Sequence, residues 1–138
     1  MEINGILRTM VDQDASDLFI KVDSTPHLRI DGRISPLDGM GLVTTNNIKE
    51  IIADLTTDEQ REEFKEKKEI DFIFDVPDLG RFRANLFIQR TTPELVLRLI
   101  KNKIRAFEEL NLPSNVLESL SLENRGLVLI TGTTGSGK

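Results

Sequence analysis

The chain has 138 residues, of which 38% are hydrophobic and 30% charged, with a formal net charge of −5 and no cysteine. That size and apolar share suffice for one compact domain and the start of a second. The acidic, mixed balance excludes the basic face of a dedicated nucleic-acid binder, and the missing thiols exclude a cysteine-ligated metal site. The longest purely apolar run, residues 127–130, falls far short of the roughly 20 residues that span a bilayer. Glu2, Arg8 and Asp12 interrupt any signal-peptide core. A soluble, cytoplasmic chain is expected.

Ile3, Ile6, Leu7, Met10 and Val11 recur at helical spacing and predict an amphipathic first helix. Leu18, Ile20 and Val22 then alternate with Asp17, Phe19 and Lys21, as in a half-buried strand. A hairpin is predicted from residues 28–30 through the Asp31-Gly32 turn into residues 33–37. Residues 36–45 read as loop. Ile48, Ile51, Ile52 and Leu55 are spaced for a second helix. Thr56 or Thr57, with Glu59 or Gln60, caps a third that is charged from Asp58 to Lys68, with Phe64 pointing inward. Ile70, Phe72, Phe74 and Val76 begin an antiparallel meander. It turns at residues 77–80, continues through residues 81–90 with Phe82, Ala84, Leu86 and Ile88 on one face, turns again at 91–93, and returns along 95–100.

Residues 101–105 are polar and basic, as a linker would be, and the composition shift near 101 marks a domain boundary. A short helical turn at 107–110 and a helix opened by Pro113 and anchored by Val116, Leu117 and Leu120 follow. The continuous apolar run within 126–131 predicts a strand buried on both faces, as in a parallel sheet. It leads into Gly132-Thr133-Thr134-Gly135-Ser136-Gly137-Lys138, which fits the first seven positions of the P-loop pattern. Glycines let the backbone close around phosphates with its N–H groups inward. The lysine brings a point charge to the outer phosphates. The pattern's eighth residue, a Ser or Thr that binds Mg²⁺, would lie past Lys138, so no metal ligand is assigned within the chain and residues 1–138 alone are expected to be inactive.

End to end, the chain resembles the N-terminal part of the type IV pilus retraction ATPases, the PilT/PilU family. The resemblance is carried by Ala15-Ser16-Asp17-Leu18, by Leu28-Arg29-Ile30-Asp31-Gly32, by Gly80-Arg81-Phe82-Arg83-Ala84-Asn85, and by Arg125-Gly126-Leu127-Val128-Leu129-Ile130-Thr131-Gly132 running into the P-loop. Phe107-Glu108-Glu109-Leu110 is similar to the family's interdomain stretch. Phe19, Gln89-Arg90 and Val96-Leu97-Arg98 look more like the PilU branch. The absence of a domain before the first helix resembles retraction rather than extension ATPases. The resemblance implies an α/β fold: a PAS-like domain over residues 1–100 with a mostly antiparallel sheet and flanking helices, a linker over 101–112, and the start of a RecA-like ATPase domain over 113–138. It further implies ATP with Mg²⁺ in the full-length protein, a homo-hexameric ring at the inner-membrane pilus base, an inner-membrane platform protein, and a PilT-type paralogue as a further partner.

Arg83 and Arg98 match two arginines that, in the family, reach the nucleotide phosphates. Arginine suits that task because its planar fork grips phosphate oxygens in a bidentate way and stays charged. Exposed decoration of a sheet face is the alternative reading of both. Pairing Asn85 opposite Arg98 would make the two arginines diagonal neighbours on one face, whereas a slip of one residue would send Arg98 to the other side. Arg81 and Arg90 read as surface or subunit-contact residues, His27 as a packed or solvated side chain, and the acidic stretch 58–69 as a solvated helix face. Two other functions stay open: a non-catalytic PAS-like binding or regulatory module, and a related secretion or pilus-extension ATPase.

Overall fold

A computed structural model describes residues 1–101 and 106–133. Contacts divide the chain into two units, Met1–Asn102 and Lys103–Lys138. The first opens with helix α1 (Ile3–Asp12), which buries Ile3, Ile6, Leu7 and Met10. Strands β1 (Asp17–Lys21), β2 (His27–Ile30) and β3 (Arg33–Pro36) follow. The β2–β3 hairpin turns through Asp31 and Gly32, both at positive φ (48° and 79°), the backbone that a tight two-residue hairpin turn demands.

Helix α2 (Thr45–Leu55) starts at Thr44, which forms a capping box with Asn47. Helix α3 (Asp58–Lys67) starts at Thr57, whose hydroxyl accepts from the Gln60 N–H while Gln60 accepts from the Thr57 N–H. The sequence offered two cap candidates. Thr56 is instead the C-cap of α2, its hydroxyl donating to the Ile52 carbonyl. Phe64 packs partly buried against the core.

Strands β4 (Glu69–Val76), β5 (Gly80–Gln89) and β6 (Thr92–Ile100) form the expected meander. Its second turn is tighter than predicted: Gln89 pairs with Thr92, so Pro93 lies inside β6 rather than in the loop. Pro93 cannot donate to the ladder. Ile88, opposite Pro93, donates its N–H away from β6, to the Lys68 carbonyl at 3.0 Å.

β6 also pairs with β1, which joins hairpin and meander into one six-stranded sheet of order β3-β2-β1-β6-β5-β4. Every pairing in it is antiparallel. One face carries Leu18, Ile20, Leu28, Phe72, Phe82, Ala84, Leu86, Leu95 and Leu97, buried with residues of α1 and α2 in a single core. The result is a two-layer α/β domain whose other sheet face, among the described residues, no helix of this unit covers.

The second unit contains a 3₁₀ turn (Glu108–Leu110) and helix α4 (Ser114–Ser121). The predicted strand over 126–131 is absent: these residues have no regular secondary structure, and Leu127, Val128, Leu129 and Ile130 are 84%, 56%, 76% and 66% exposed. A strand exists only through its ladder partners. Among the described residues this unit supplies no second strand, so apolar character alone does not make one.

Candidate functional site

Alternation along β5 puts Arg83 on the uncovered face, because its neighbours Phe82 and Ala84 are fully buried. Alternation along β6 does the same for Arg98, between buried Leu97 and the partly buried Leu99. The register then decides their distance. Asn85 pairs with Val96, not with Arg98 as in one of the registers the sequence left open, and Arg83 stands directly opposite Arg98. The shift is of two residues, so both stay on one face. They become direct rather than diagonal neighbours, with Cα atoms about 5 Å apart.

Two like charges directly opposite on a sheet are destabilising. Each arginine here has its own carboxylate. Arg83 donates from Nε and Nη2 to Asp71 at 2.7–3.0 Å, in a bidentate grip. Arg98 donates from Nε to Asp17 Oδ1 at 2.8 Å. The second Asp17 oxygen accepts from Arg29 Nε at 3.1 Å and from the Ser16 hydroxyl at 2.8 Å. Row register explains the cluster, since Asp17 lies opposite Arg98 on one side and Arg29 on the other.

The two carboxylates differ. The Asp17 side chain is only 5% exposed, whereas that of Asp71 is 41% exposed. The hydrogen bonds from Arg83 hold the Asp71 carboxyl below the usual carboxylate range, and that carboxylate raises Arg83 in turn. Both guanidiniums face water, Arg98 at 67% and Arg83 at 59% exposure. Asp17, Asp71, Arg83, Asn85, Val96 and Arg98 line one shallow depression on this face. Two guanidiniums and two carboxylates balance its formal charge, and each guanidinium is aimed by its partner. Chemically it can accept an anion with several oxygens.

The remaining candidates are elsewhere or outside reach. Arg81 pairs with Asp75 near the sheet edge, lowering that carboxyl, while Arg90 is exposed in the β5–β6 turn. His27 is half-buried, with Nδ1 2.7 Å from the Thr25 carbonyl. Of the phosphate-loop motif, Gly132 and Thr133 are described and have no regular secondary structure; Thr134, Gly135, Ser136, Gly137 and Lys138 lie outside the described residues, as do Lys103 and Arg105. Sequence reasoning passed over Asp17, Asp71 and Arg29 as partners. The available signal was positional: Asp17 and Arg29 occupy the polar phase of adjacent strands, and Asp71 that of β4.

No family model matches the chain. It is nonetheless similar to ATPases of type IV pili. The whole chain is 38% identical to the type IV pilus ATPase PilU of Pseudomonas aeruginosa, spanning 36% of that protein. It is equally 38% identical to the retraction ATPase PilT of the same organism, spanning 40% of it. Among solved structures, the pilus retraction motor PilT with bound ADP superposes over the entire chain with a TM-score of 0.79 at 36% identity, the chain covering 40% of it. The chain is therefore a homologue of PilU and PilT and corresponds to well under half of either, and the expected mixed α/β fold with an antiparallel sheet is the one observed. Among the described residues no helix is long and apolar enough to cross a membrane.

Proposed function

We propose that this chain is the leading part of a hexameric, Mg²⁺- and ATP-dependent motor that drives pilus retraction, working at the inner-membrane pilus base. In this reading residues 1–100 form a PAS-like domain, residues 101–112 a linker, and residues 113–138 the entry to a RecA-like ATPase domain. The uncovered sheet face offers Arg83 and Arg98 to the phosphates of a nucleotide held by a neighbouring subunit. The observation that carries this is their direct cross-strand juxtaposition on an exposed face, with each guanidinium oriented by its own carboxylate. A surface selected only for solubility would avoid placing like charges opposite one another.

The donor set of residues 132–138 suits a polyphosphate: backbone N–H groups at three glycines, three hydroxyls and an ammonium. Bound Mg²⁺ would neutralise phosphate charge; the hydroxyl that holds it in such loops is the one following the lysine. The inner-membrane platform protein and a PilT-type paralogue are the partners that fit such a motor.

The test uses the full-length protein. Arg83→Ala or Arg98→Ala should lower ATP turnover by about 10³-fold, the scale of a phosphate-clamping arginine. Lysine should restore it only in part, since a point charge lacks the fork. Arg90→Ala serves as the exposed control. Turnover in the arginine variants equal to that control would assign both residues to surface decoration. A polypeptide of residues 1–138 should release no more phosphate than its Lys138→Ala variant.

A further inference from the structure

The two arginines are held in different ways. Arg83 gives its Nε and Nη2 edge, the edge that forms a two-pronged bond, to Asp71. An incoming phosphate must compete with that carboxylate. Arg98 gives only Nε to Asp17, and among the described residues its two terminal nitrogens make no hydrogen bond. Asp17 is itself immobilised: its side chain is nearly buried, Arg29 and Ser16 occupy its other oxygen, and β1 is flanked by strands on both sides. Arg29 is further seated over the Phe19 ring, 5.2 Å from its centroid.

We propose that Asp17 is the positioning residue for Arg98, pinning Nε so that the outer nitrogens stand ready for phosphate. The inference rests on the phosphate-contacting reading of Arg98 and adds the group that makes it effective. A long exposed arginine samples many rotamers, and ordering it on binding costs conformational entropy. A pin at Nε removes part of that cost beforehand and fixes the direction of approach. Arg29 acts behind Asp17, balancing its second oxygen, so that a nearly buried carboxylate can serve an exposed partner without standing half-paired.

A double-mutant cycle on ATP turnover in the full-length protein separates positioning from mere support of the sheet. Asp17→Asn should reduce turnover by roughly 10- to 100-fold, as expected when a contacting group is misplaced by about an ångström. In an Arg98→Ala background the same substitution should cost nothing further, because the residue it positions is gone. An equal loss in both backgrounds would mean that Asp17 only supports the fold, and the proposal would fall while the role of Arg98 stood. Wild-type turnover in Arg98→Ala would overturn the phosphate reading itself. Should Asp17→Asn not fold, Asp17→Glu keeps the charge and the ion pairs but displaces the pin by one methylene. Its carboxylate lies under flexible arginine stems on the uncovered face, so the extra length can be absorbed there. Turnover should still fall while melting stays near wild type, and unchanged turnover would overturn the proposal.

Discussion

The two faces of one sheet obey different rules. On the covered face, Phe82, Leu86, Leu95 and Leu97 are fully or almost fully buried, and their energies come from volume and packing. On the uncovered face, Asp17, Arg29, Asp71, Arg83 and Arg98 interact through directed hydrogen bonds. The first face tolerates no lost volume but is indifferent to the direction of any one contact. The second loses little stability when a charge is removed but depends on which residues stand opposite. The face least important to folding is the one whose contacts are arranged most specifically.

The sharpest contrast should come from Phe82→Ala. It stacks on Phe74 at 5.5 Å within the core. Truncation should cost about 3–5 kcal/mol, read as a large fall in the denaturation midpoint at unchanged slope. A loss near 1 kcal/mol would mean that the covered face repacks.

Arg98→Ala comes next in stability. The sequence alone ranks Arg83 and Arg98 together as surface charges, within about 0.5 kcal/mol. The structure separates them, because Arg98 pairs with a nearly buried carboxylate. Its removal should cost about 1 kcal/mol, discounted because the guanidinium faces water and Asp17 keeps Arg29 and Ser16. Arg83→Ala should cost less, since both Arg83 and Asp71 face water. Urea melts of the two variants side by side would reverse the assignment if Arg83→Ala proved the more damaging.

A smaller effect concerns pH. The Asp71 carboxyl sits below its ordinary value of 3.8, mainly through hydrogen bonds from Arg83. A group lowered in the folded state adds stability that is fully present above its unfolded value and is lost as pH falls through the folded one. The pair therefore contributes at neutral pH and fades below about 3.8. Being exposed, it contributes little. Arg83→Ala should flatten the acid limb of stability slightly, and an unaltered limb would show that the pair holds nothing in solution. The smallest effect is expected from Leu129→Ser in the 138-residue polypeptide. Leu129 is 76% exposed, so the melting temperature should not move. A measurable drop would show that the segment is buried in solution.

The sequence by itself determined the local elements. Local signals placed four helices and six strands, Asp31-Gly32 marked a hairpin, and Thr56 and Thr57 narrowed a cap to two candidates, because these signals act within a few residues. It also determined which side chains of β5 point away from the core, since alternation is a property of a single strand, but it left the facing of Arg98 on β6 open. It carried the phosphate-loop motif as a string of residue types, which is how that motif is defined. Tertiary structure alone decided what pairs across strands. The β1–β6 ladder joins residues about 80 positions apart, and no local signal encodes which strands become neighbours. It set Arg83 against Arg98 rather than Asn85, and it brought Asp17 between Arg29 and Arg98. It also left residues 126–131 without the strand their composition suggested. The physical reason is common to all of these cases. Hydrophobic alternation specifies a face, but a ladder, a register and an ion pair each need a second segment, and its position belongs to the fold as a whole.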